Sequence, residues 1–78
     1  MAGDTTAASD AWLVVASALG ELSPRQRACV VLVDYADLDA ASVAEALGTA
    51  EATVRVHLMR GRRILRRKLN LPDQEIEP

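Results

Sequence analysis

Seven of the nine basic residues in this 78-residue chain fall within fourteen positions: Arg55, Arg60, Arg62, Arg63, Arg66, Arg67 and Lys68, with no acid among them. The formal net charge is −2 and the pI is near 5.2, so the cluster is not a by-product of composition. Guanidinium groups spaced four apart on a helix, such as Arg62 and Arg66, repel one another. A nucleic-acid backbone removes that repulsion and releases counterions as it binds. At the start of the same segment stand Glu51, Ala52, Arg55 and Val56. Arginine can fork onto guanine O6 and N7, glutamate can accept from cytosine N4, and small apolar side chains can touch thymine methyls. Thr49, Thr53 and His57 are placed to meet phosphate oxygens, as are Arg60, Arg62 and Arg63 further along. The chemistry open to these types at this spacing is the reading of a DNA major groove.

Little else in the chain points to chemistry. No Ser-His-Asp, Cys-His or paired-carboxylate arrangement stands out, so no catalytic residue is expected and the chain does not read as an enzyme. No cofactor or small-molecule substrate is implied. His57 has no second metal ligand at useful spacing. A single cysteine, Cys29, excludes an internal disulfide and a zinc cluster and reads as core packing. Asp34, Asp37 and Asp39 form an acidic cluster, but Asp37 and Asp39 bracket a turn, where Asp39 can cap a helix. No apolar run approaches the ~20 residues of a membrane span. Met1–Asp10 lacks the basic start and apolar stretch of a signal peptide. A cytoplasmic protein with no membrane partner is expected.

The elements that must position the cationic segment are helices. Half of the chain is hydrophobic, yet Trp12 and Tyr35 are its only aromatics, which suits close-packed aliphatic helices better than a sheet. Residues 1–8 are small and polar, without a period, and are expected to be a flexible tail. Ser9 is the expected N-cap of a first helix that carries Trp12, Ala16 and Leu19 at helical spacing, with Trp12 as a core anchor, and ends at Gly20. Ser23, Pro24 and Gln26 form the start signature of a second helix, with Cys29, Leu32 and Val33 as its buried stripe. Asp39 caps a third, with Val43, Ala44 and Leu47 inward and Gly48 at its end. A turn of about three residues leads to a fourth helix from Glu51 to Leu69, roughly 28 Å long at 1.5 Å per residue. Its inward face is Val54, Leu58, Gly61 and Leu65. The opposite face carries Ala52, Arg55, Val56, Met59, Arg60 and Arg63. Gly61 marks a close helix crossing where alanine should be tolerated and leucine should overpack. Asn70 and Pro72 stop the helix, and 71–78 is an acidic C-terminal tail. The expected fold is all-α, a compact four-helix domain over 9–70 with a C-terminal helix-turn-helix.

Leu22-Ser23-Pro24-Arg25-Gln26-Arg27, then Val43-Ala44-Glu45-Ala46-Leu47-Gly48, then Thr53-Val54-Arg55 with the Arg60-Gly61-Arg62-Arg63 tail, resemble region 4 of bacterial sigma factors. The likeness is closest to the extracytoplasmic-function (ECF) group and covers about 60 of the 78 residues. It implies a domain whose last helix reads the minus-35 promoter element and whose surface docks on the β flap of RNA polymerase core. The promoter element and the polymerase are then the expected partners, with an anti-sigma protein as a further one. It also implies that Glu51, Ala52, Arg55 and Val56 read bases, because the matching family positions do so. Arg66 and Arg67 lie too far along the helix for the same base pairs and are expected to face the polymerase or another partner. The pattern of region 2, which melts the minus-10 element, is absent from these residues, so the chain reads as an excised domain or a stand-alone regulator.

Three departures from the family accompany the likeness. Ala50 stands where a serine N-cap is usual, Val33-Asp34 replaces a basic-aromatic pair, and Val56-His57 replaces a small or polar residue followed by arginine. The last resembles the reading helix of LuxR-type (GerE) DNA-binding domains, the alternative family. Against it, the basic run continues through Arg62–Lys68, where LuxR-type domains close with a lysine-leucine-glycine end. A third reading, from another class, is a sigma-like domain that binds only polymerase or an anti-sigma protein; the acidic pI favours it, since isolated DNA-binding domains are commonly basic.

Overall fold

Each helix of this chain starts and stops where the sequence punctuates it, with one exception at either end of the first half. A computed structural model describes residues 2–72, with side chains from Ser9 onward. The elements are α1 (Ala2–Leu19), α2 (Pro24–Val30) running on into a π-helical turn (Val31–Tyr35), α3 (Ala40–Leu47) and α4 (Glu51–Lys68). The described residues are all-helical and contain no strand. From Asp73 on, the expected acidic tail lies outside the described residues.

The capping signals act as the sequence suggests. The Ser23 hydroxyl accepts from the Gln26 N–H at 3.2 Å while the Ser23 N–H donates to Gln26 Oε1 at 3.0 Å, a complete capping box with Pro24 in the first turn. Asp39 Oδ1 accepts from the Ser42 N–H at 2.8 Å and starts α3. Gly48 ends α3 in the left-handed region, at φ 68°, which only a residue without Cβ adopts freely. At the far end of α4, Asn70 takes φ 60°, and the Leu71 and Asn70 N–H groups bond back to the Arg66 and Arg67 carbonyls. This is a Schellman closure.

Two boundaries differ from the sequence reading. The backbone is helical from Ala2, so Ser9 lies inside α1 and caps nothing. An alanine-rich stretch needs no apolar period to be helical, because alanine has the highest intrinsic propensity. The second difference is the π-helical turn. The Ala36 N–H bonds to the Val31 carbonyl at 2.9 Å, five residues back, and the Leu38 N–H bonds to that of Leu32 at 3.0 Å. Asp37 at φ 64° then reverses the chain; aspartate is among the few non-glycine residues that tolerate this conformation.

The core is a seam between α2, α3 and α4. Leu22, Cys29, Val30, Val43, Ala44, Val54 and Leu58 are buried, and Leu19, Leu32, Val33, Leu47 and Leu65 pack against them half-covered. Cys29, Val43 and Val54 are fully enclosed; each such valine contributes about 1.5–3 kcal/mol relative to an exposed one. The buried stripe of α2 is thus Cys29 and Val30, while Leu32 and Val33, in the π-turn, pack against the core only partly covered. Trp12 is 60% exposed and anchors nothing; α1 reaches the core through Ala18, Leu19 and the following Leu22.

Gly61 is the close crossing of α4 on α2. A Cβ there would stand 2.9 Å from Val30 Cγ2 and 3.2 Å from Leu22 Cδ2. Val30 is β-branched and buried, so its methyl has little freedom to withdraw. The expectation that alanine is tolerated is therefore corrected: even one methyl overfills this crossing.

Candidate nucleic-acid interface

α3, the turn 48–50 and α4 form the helix-turn-helix, and α2 holds it at the back. Beyond the Gly61 crossing, the Arg25 guanidinium donates to the Leu47 carbonyl at 3.0 Å. It thereby satisfies one of the carbonyls left open at the C-terminus of α3, where a cation is favoured. The same arginine slightly opposes the effect of burial on Cys29, whose thiol is pushed up mainly by desolvation. Asp39 is anchored in the other sense: hydrogen bonds from Ser42, the backbone N–H foremost, hold its carboxyl below the usual range. The turn that presents α4 is thus fixed at both ends of α3.

With Val54, Leu58 and Gly61 buried, α4 turns Ala52, Thr53, Arg55, Val56, Met59, Arg60, Arg63 and Arg67 to solvent. Glu51, Thr49, His57, Arg62 and Arg66 are half-buried. Ala50 gives α4 no side-chain cap, and Glu51 is the acid in its first turn. His57 Nδ1 is enclosed without a hydrogen-bond partner, so a contact from this ring to phosphate falls to Nε2.

The cations of α4 divide by their partners. Arg55 pairs with Glu51 one turn earlier. Arg62 forks onto Asp34 in the π-turn, Nε to Oδ2 at 2.9 Å and Nη2 to Oδ1 at 2.6 Å. The Asp34 hydrogen bonds raise the pKa of that guanidinium against partial desolvation. Lys68 reaches Glu21 at 3.7 Å. Arg60, Arg63 and Arg67 form no ion pair with any described residue and stand together on the face opposite the core. Neither the Asp34 fork nor the Arg25 clamp was visible from sequence. Both join residues more than twenty positions apart, and the one available hint was that Asp34 and Arg25 had no other role. The acidic cluster is accounted for: Asp34 holds Arg62, Asp37 reverses the chain and Asp39 caps α3.

A three-helix support that presents a cationic second helix across a glycine turn defines the helix-turn-helix class. Within it, the family described as Sigma-70, region 4 matches residues 13–65, which is most of the chain and takes in α3, the turn and all but the last three residues of α4. The chain belongs to the sigma-70 region 4 family, whose domains serve transcription initiation through promoter DNA and RNA polymerase and are not enzymes. This match places it with sigma factors and away from the LuxR-type alternative. Searches of the curated proteins and of solved structures gave no match. Among the described residues, no helix is long and apolar enough to cross a membrane.

Proposed function

We propose that this domain recognises the minus-35 promoter element as region 4 of an ECF-type sigma factor, acting in the cytoplasm. α4 enters the major groove with its first turns at the base edges. Glu51, Ala52, Arg55 and Val56 read bases there; Thr49, Thr53, His57, Arg60 and Arg63 hold the phosphate backbone. Arg66 and Arg67, further along, face the β flap of the polymerase, and an anti-sigma protein is a further partner of the same surface. The observation that carries this reading is the solvent face of α4, apolar and polar in its first two turns and then cationic, on a helix whose other side is locked into the core.

The Glu51–Arg55 pair does not oppose it. The Glu51 and Arg55 side chains are open to solvent, 43% and 63% exposed, and such surface pairs contribute only about 0.2–1 kcal/mol. Arg55 is therefore free to exchange glutamate for a base or a phosphate. Binding by this chain alone should be weak, with Kd about 10⁻⁴ to 10⁻⁶ M and a strong dependence on salt. Titrations of the protein and of Arg55→Ala against two minus-35-like duplexes test it: the variant should change the ranking of the two. An unchanged ranking would remove base reading from the start of α4. If no α4 variant altered DNA affinity, the domain would instead bind polymerase or an anti-sigma protein only, as its acidic net charge allows.

A further inference from the structure

Among the arginines of α4, Arg62 is held in a two-point fork by a carboxylate from a different part of the fold, 28 positions away. Both oxygens of Asp34 are used, and bidentate arginine–carboxylate pairs are stronger and better oriented than single contacts. The same two-point geometry is what a guanidinium offers a phosphate. Arg62 and Arg55 lie two turns apart on one flank of α4, bordering a shallow open groove with Ala40 and Met59. A helix with its side chains is about 10–12 Å across and the major groove is about 12 Å wide, so the flanks of an inserted helix face the phosphate walls. Asp34 therefore stands at the edge of the DNA face. It occupies the fork of Arg62 with both carboxylate oxygens. The two side chains are 40% and 41% exposed, so the pair lies within reach of an incoming strand.

We propose that Asp34 withholds Arg62 from the DNA backbone and so limits both the affinity and the salt sensitivity of this domain. The inference rests on the DNA-binding reading above. It assigns Asp34 a positioning role that acts through Arg62, without contact to DNA.

The test measures Kd for one minus-35-like duplex across a series of salt concentrations, using the whole chain and the variants Asp34→Asn, Asp34→Asn/Arg62→Ala and Arg63→Ala. Melting temperatures establish that each is folded. Freeing Arg62 adds one phosphate contact, which steepens the slope of log K against log salt by about 0.9 and tightens binding about eightfold at 0.1 M salt. The double variant should return to the parent slope. Arg63→Ala should flatten the slope by about as much as Asp34→Asn steepens it. An unchanged slope for Asp34→Asn beside a flattened one for Arg63→Ala overturns the inference and leaves the DNA-binding reading standing. Steepening that persists in the double variant also overturns it, since Asp34 would then act by direct repulsion. No response in any variant overturns the DNA-binding reading and the inference with it.

Discussion

α1 and α4 are each 18 residues long, and they are built on opposite plans. α4 buries Val54, Leu58 and Gly61 in one line and leaves its arginines on the other side. α1 has apolar residues nearly all round, yet Trp12, Leu13 and Val14 are 60%, 64% and 57% exposed, and among its described side chains only Ala18 is buried. Hydrophobic content therefore does not decide which helix belongs to the core; the angular order of that content does. α4 fits its neighbours because Val54 and Leu58 join the buried cluster with Val30, Val43 and Ala44, and Gly61 lets α4 close on Val30. Of the described α1 side chains, Ala18 and Leu19 are the ones that reach the core.

The sharpest test of this contrast makes one substitution in both helices. Leu58→Ala should destabilise the domain by about 2–5 kcal/mol through lost burial and the cavity left behind. Leu13→Ala should stay within about 0.5 kcal/mol, as surface changes usually do. Chemical denaturation of the two variants measures the difference, and similar values would mean that α1 is packed as tightly as α4. Next in size is the crossing. Gly61→Leu should cost about 1–3 kcal/mol by overpacking, and more if α2 cannot yield. Gly61→Ala should lose about 1 kcal/mol, since the crowding of Val30 exceeds the ~1 kcal/mol that alanine gains over glycine in a helix. In a domain of this size that is a fall of about 4–8 °C in Tm; a rise would show that Val30 can shift.

A third prediction concerns the helix that braces both. Ser23→Ala removes one half of the capping box and should cost about 1 kcal/mol, read from the same denaturation curves. The smallest effect is one of pH. The Asp39 carboxyl is held below its ordinary range by Ser42. The stabilisation it supplies is complete above the unfolded pKa of about 3.9 and is lost as pH falls through the folded value. Asp39→Asn keeps a capping oxygen without the titration, so its Tm should fall less than the parent's between pH 5 and pH 2. Parallel acid profiles for the two proteins would remove Asp39 from the acid response.

What the sequence made legible follows the same division. Ser23-Pro24-x-Gln26, Asp39 and Gly48 act within four residues of themselves, and local hydrogen bonds placed α2, α3 and the turn correctly. Val54, Leu58, Gly61 and Leu65 were readable because a single helix face repeats at fixed spacing. Trp12 was misread because helical spacing alone does not say which stripe of an all-round apolar helix finds a neighbour. The π-turn was missed because Val31–Tyr35 is as apolar as an ordinary helix end. On α4, sequence located the cationic face, but which of its cations are already engaged across the fold depends on Asp34, which holds Arg62, and Glu21, which meets Lys68.

The π-turn makes chain length a control variable at one spot in the molecule. An i→i−5 ladder holds a residue more than an α-helical turn would. Deleting one residue between 31 and 35 would let the ladder close at i→i−4 and leave Cys29 and Val30 seated in the core. Because the closed turn spans one residue fewer, the chain after the deletion keeps roughly its place around the α2 axis, and the change falls on which of the remaining side chains faces α4 in place of Asp34. Related chains that differ by one residue here would thus differ in the charge beside α4, with every arginine of that helix unchanged.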